Sequence, residues 1–148
     1  MSSVSELYQS VILDHNRTPR NYGRLEGEGA RHARGHNPLC GDQVTVWLQL
    51  DGDVVTDVRF EGQGCAISRA SASLMTMAVK GKTRQEVEQL FSDFHGLVTG
   101  GDSPEDLPSR LKVFASVAEF PVRVKCASLA WHVMREALKD GERSTMNG

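Results

Sequence analysis

The stretch QVTVWLQLDGDVVTDVRFEG (residues 43–62) decides the fold. Val44, Val46, Leu48 and Leu50 alternate with Thr45, Trp47 and Gln49, a period of two that gives a strand one apolar and one mixed face. Asp51-Gly52 is a tight-turn signal, and the β-branched run from Val54 to Phe60 follows it. The reading is an antiparallel hairpin.

Outward from the hairpin the period changes. After Gly62 and Gly64, CAISRASASLMTMAVKG (65–81) is rich in small residues and Met and ends on a glycine, the pattern of a helix with its stop signal. Thr83 with Glu86 three residues later forms a capping box for a second helix, TRQEVEQLFSDFHGL. TGGDSPEDLPSR is turn-rich, RLKVFASVAEF reads as a short helix, and Pro121 opens or closely precedes the last helix. That helix repeats apolar positions at Cys126, Leu129, Ala130, Val133, Ala137 and Leu138. Before the hairpin, residues 5–15 read as a helix with Ser5 as its N-cap. Residues 16–38, dense in glycine and proline, read as an extended or irregular arm rather than a regular element. Strands and helices are segregated, so the expected class is α+β: a small antiparallel sheet with helices packed on one face.

The 148 residues fit one domain, 1–148. A formal net charge of −2 without a concentrated basic stretch argues against non-specific nucleic-acid binding. No apolar run approaches a membrane span, and MSSVSELYQS lacks a basic segment followed by an apolar core, so no membrane association and a cytoplasmic location are expected.

Three cysteines cannot all pair within the chain, and each occupies a special place. Cys40 lies in a turn before the first strand of the hairpin, with Asp42 two residues on. Cys65 sits at the junction of hairpin and helix, where free amides and the helix dipole favour thiolate. Cys126 lies early in the last helix, directly after Arg123 and Lys125, whose charges act the same way. Singly, each is also readable as a small packed residue or as turn chemistry. Together, three thiols and a carboxylate form a tetrahedral set suited to zinc. The spacings of 25 and 61 residues match no paired-cysteine zinc finger. Four anionic ligands would leave such a site at about −2, with Arg123 and Lys125 as compensation. His36 and His132 are the histidines nearest the thiols in sequence, and Tyr8, Val11 and Ile12 read either as an exposed apolar anchor or as packing on the sheet.

LYQSVILDHNRTPRN (7–21), HNPLCGD (36–42), FEGQGCAISRASASLM (60–75) and FPVRVKCASLAW (120–131) closely resemble the U-type iron–sulfur assembly proteins, the IscU, NifU N-terminal and SufU group. Two departures from the scaffold type look like the SufU branch. Lys125 stands where the scaffold has a histidine, and there is an extra stretch within residues 96–115. The resemblance implies that Cys40, Asp42, Cys65 and Cys126 bind zinc. It also implies that Cys40 accepts persulfide sulfur from a SufS-type cysteine desulfurase, whose own histidine takes a place on the metal, and that Arg123 steers the exchange. A SufBCD-type assembly complex is the implied recipient. The alternative function is a scaffold that builds a [2Fe–2S] cluster on the same ligands, with iron in place of zinc. A purely structural zinc is the third reading.

Overall fold

The computed structural model describes residues 4–27, 29–38, 41–101 and 107–139. Helix α1 (Val4–Arg17) leads into strands β1 (Ala30–Asn37), β2 (Asp42–Asp51) and β3 (Val54–Gln63). Then come α2 (Ala66–Val79), α3 (Arg84–Val98), the short α4 (Ser109–Lys112) with a 3-10 helix (Val113–Glu119), and α5 (Pro121–Lys139). The sheet is antiparallel in the order β1-β2-β3.

Register explains which side chains meet the helices. Ala33, Val46 and Phe60 stand abreast across the three strands, as do Gly35, Val44 and Gly62, and directly paired residues share a face. Val44, Val46, Leu48, Val58 and Phe60 are all buried, so this face carries the core. Helix α5 packs on β1 and β2, and α2 on β3. Gly35 makes the first contact close: a Cβ there would collide with the Val133 methyl of α5. In the helical layer Phe94 stacks on Trp131 with ring centroids 4.4 Å apart, and Phe114 meets Phe94 edge-on. The Trp131 indole N–H donates to Ser71 Oγ, and the Ser71 hydroxyl in turn donates to the Ala127 carbonyl, so α2 and α5 are joined by a satisfied polar bridge.

Three expectations need correction. Residues 30–37 are an edge strand and not part of an irregular arm. ARHARGHN lacks β-branched and aromatic residues and so carries no strand signal of its own; its pairing with β2 and its cover by α5 supply what the side chains do not. Helix α1 starts at Val4, so Ser5 lies inside it and is not its N-cap. The reading of 110–120 as an ordinary helix also shifts, since most of it is 3-10. Earlier in the arm, Phe60 N donates to Asn21 O and Gly23 N donates to Phe60 O, so this part of the chain covers the outer edge of β3.

Candidate metal centre

Asp42 opens β2 in the register that buries Val44, Val46 and Leu48, and the same alternation turns its carboxylate toward the helices. It is 0% exposed. Its Oδ1 accepts a hydrogen bond from Cys65 N at 2.8 Å, and its Oδ2 lies 3.8 Å from Cys65 Sγ. The end of β3 must come close for this to happen, and the glycines of GQGC permit it. A Cβ on Gly64 would overlap the Asp42 carboxylate, and one on Gly62 the Gln43 carbonyl oxygen.

Cys65 is the N-cap of α2, with extended backbone (φ −73°, ψ 167°), and its Sγ accepts from Ser68 N at 3.4 Å. The thiol therefore takes the place usually held by a Ser or Asp oxygen, facing the positive end of the helix. Cys126 is on the buried face of α5, 3% exposed, one residue before the Ala127 carbonyl that Ser71 fixes. A carboxylate oxygen of Asp42, Cys65 Sγ and Cys126 Sγ all lie within 4.8 Å of one another. Both cysteines are free thiols.

The donor set fits a cation. A wholly buried carboxylate is costly without a positive partner, and the ion pairs among the described residues do not include Asp42. Two thiols and a carboxylate at this spacing are ligands for zinc or iron. Cys40, the fourth expected ligand, lies outside the described residues. Its surroundings are described: Asn37 and Asp42 pair across the connection, and Gly41 N donates to Asn37 O at 2.8 Å.

The charged and polar neighbours divide. Arg123, on the exposed first turns of α5, stacks over the Phe120 ring at 4.6 Å. From there its charge acts on Tyr8, whose phenol is pushed above its usual range by burial first of all, against the pull of Arg123 and with a further push from Cys65 and Cys126. Tyr8 thus sits beside Arg123, with its hydroxyl oxygen buried. Val11 and Ile12 are buried in the shared core, in a helix that packs chiefly against α2 and the 3-10 segment, so they are not an exposed anchor. The sequence did carry a hint of Tyr8: it falls three and four residues before Val11 and Ile12, on the same buried stripe. Lys125 lines an open groove of about 390 Å³ with His36, His95 and His132. Among the described residues no histidine joins the Asp42, Cys65 and Cys126 group.

The sequence from residue 7 to 147 matches the NifU-like N terminal domain. The chain belongs to that family. A protein of Streptococcus pyogenes named iron–sulfur cluster assembly scaffold protein IscU is 39% identical over 140 residues, covering 94% of this chain and 87% of that protein. A Bacillus subtilis protein named zinc-dependent sulfurtransferase SufU is 36% identical over 142 residues, covering 95% of each. Among solved structures, FiSufU of Fervidobacterium islandicum, a candidate iron–sulfur cluster assembly scaffold protein for the SUF system, superposes with a TM-score of 0.83. It has 35% identity, and the match covers 90% of this chain and 97% of that one. The family is one of iron–sulfur cluster assembly, and this NifU-like chain shares the α+β architecture of its solved relatives. No helix among the described residues is long and apolar enough to cross a membrane.

Proposed function

We propose that this NifU-like chain, a single domain over residues 1–148, is a zinc-dependent sulfur acceptor in iron–sulfur cluster assembly. Cys40 takes persulfide sulfur from a SufS-type cysteine desulfurase and passes it to a SufBCD-type complex. The observation that carries this reading is the buried Asp42 carboxylate gathered with Cys65 and Cys126 around a place for a cation. Cys40, Asp42, Cys65 and Cys126 would hold the zinc, which when bound keeps thiols deprotonated at neutral pH without redox chemistry of its own.

The chain's own residues divide the work. Cys65 and Cys126 start from rigid helices and serve as anchors. Asp42 is held at one oxygen by the Cys65 amide and offers the other. Cys40 is the thiolate that attacks the sulfur of the donor persulfide. Arg123, braced by Phe120, would steer the exchange. Lys125 in place of the scaffold's histidine supports the SufU-like assignment.

The test measures zinc per chain and the turnover of a SufS-type desulfurase with wild-type, Cys40→Ala and Asp42→Ala proteins. Wild type is expected to carry zinc and to raise turnover, with Cys40→Ala abolishing the rise. A zinc-free wild type with no effect on turnover sinks the reading. The relative named as an IscU scaffold favours a second reading, in which the same ligands assemble a [2Fe–2S] cluster as cargo. Anaerobic reconstitution with iron and sulfide, followed by transfer to an apo-ferredoxin, separates the two.

A further inference from the structure

A second cluster of titratable side chains lines the open groove of about 390 Å³ where the end of β1 meets α3 and α5. His36 comes from β1, His95 from α3, and Lys125 and His132 from α5, with the apolar side chains of Val124 and Leu129 among them. One buried ring holds two of the imidazoles in place. Phe91 stacks on His95 with centroids 6.0 Å apart and meets His132 edge-on at 5.2 Å, and the imidazoles lie 5.9 Å from each other. The Arg135 guanidinium covers the same ring at 4.8 Å. None of the described side chains lining the groove is a carboxylate, and the ion pairs among the described residues include neither Lys125 nor a histidine. A metal ion fits poorly here. The histidine nitrogens do not gather as the ligand atoms of Asp42, Cys65 and Cys126 do, and the Lys125 ammonium repels a cation. An anion fits, and the spacing selects its shape. Lys125 and His132 are seven residues apart on α5, which is two turns, or about 10 Å along the axis. A single phosphate is too short to meet both, whereas two carboxylates on a short carbon chain reach both ends and lay the chain over Val124 and Leu129.

We propose that this groove is a binding site for a small dicarboxylate. The Lys125 ammonium takes one carboxylate and the His95 and His132 pair the other, through charge-assisted hydrogen bonds, with His36 on the strand side. The site stands whether or not the chain accepts sulfur. Proton uptake accompanies binding. In the empty groove His132 is held below the ordinary imidazole value, by burial first and then by the charges of His95 and Arg135, against the pull of Glu136. A bound dianion favours the charged imidazole, so affinity rises as pH falls from 8 to 6.5. The occupant is a neighbour of the metal centre, since Lys125 immediately precedes Cys126, and Asn37, which also lines the groove, pairs with Asp42.

Succinate is the probe, with acetate and inorganic phosphate as comparisons, each titrated into the full chain at fixed ionic strength. Binding is read by calorimetry and by the ring C–H proton resonances of the five histidines. At pH 6.5 succinate is expected to bind with a dissociation constant of about 1 mM or tighter, and acetate and phosphate at least about tenfold more weakly. The resonances of His36, His95 and His132 should move, while those of buried His15 and of His32, beside Trp47, stay put. Lys125→Gln and His132→Gln should each weaken succinate by about tenfold, the scale of one hydrogen bond to a charged group, with urea midpoints at the wild-type value. The pH dependence should shrink in His132→Gln. A weaker succinate constant, phosphate binding as tightly as succinate, or equal movement of all five histidines overturns the proposal. So does wild-type affinity in both variants, and the histidine resonances of wild type decide the matter even where a variant is unstable.

Discussion

Asp42 carries a charge that the fold buries for a purpose other than stability. Its carboxylate has a backbone amide on one oxygen and a thiol near the other, and neither offsets a full negative charge. Asp42→Asn keeps an oxygen for the Cys65 amide and removes the charge. The metal-free variant should be more stable than metal-free wild type by about 1–2 kcal/mol while losing zinc at lower chelator concentration. Urea titration with parallel metal analysis checks both signs, and a destabilised metal-free variant would contradict the account. His15 makes a second residue-scale prediction. It is 0% exposed, its Nδ1 sits 2.7 Å from Ser73 Oγ, and its Nε2 has no partner. Burial, followed by the field of Arg20, holds its pKa below the ordinary 6.5. The unfolded chain therefore takes up a proton that the folded one refuses. The associated stability is intact above pH 6.5 and is lost as pH falls from there toward the depressed folded value. His132, lowered by burial and by His95, adds in the same direction. Urea midpoints from pH 8 down to 5 should fall less steeply in His15→Gln than in wild type.

At the scale of elements the glycine-linked junction of β3 and α2 governs the site. Gly64→Ala pushes a methyl group into the Asp42 carboxylate. It should cost about 1–3 kcal/mol and lower zinc retention together, as read by thermal unfolding and metal content; a variant with normal zinc would show that the close approach is dispensable. This junction was legible in the sequence, because the switch from period two to helical spacing falls at Gly62–Cys65. The hairpin and the Thr83–Glu86 capping box were legible for similar local reasons, and both are present. Strand β1 was not, since Arg31, His32 and Arg34 say nothing of sheet and Gly35 reads as a turn. Its role is visible only once Val133 packs over Gly35. The gathering of Asp42, Cys65 and Cys126 is also tertiary. No spacing rule joins residues 61 apart, and only the local contexts of the motifs gave them away.

Over the whole molecule the three described donors come from β2, the N-terminus of α2 and the interior of α5, so a bound ion would tie the sheet to both central helices. Zinc at a hundredfold excess over its dissociation constant should stabilise the folded state by about 2.7 kcal/mol. Adding a chelator should lower the unfolding temperature and speed proteolysis, and a transition indifferent to chelator would argue against occupancy. The Ser71 bridge has a mechanical consequence. Because it clamps α2 to α5 through Ala127 and Trp131, the two helix-borne thiols sit on one stiff frame with little freedom to change their separation. Any cycle of loading and unloading at this centre would leave that helical frame at rest.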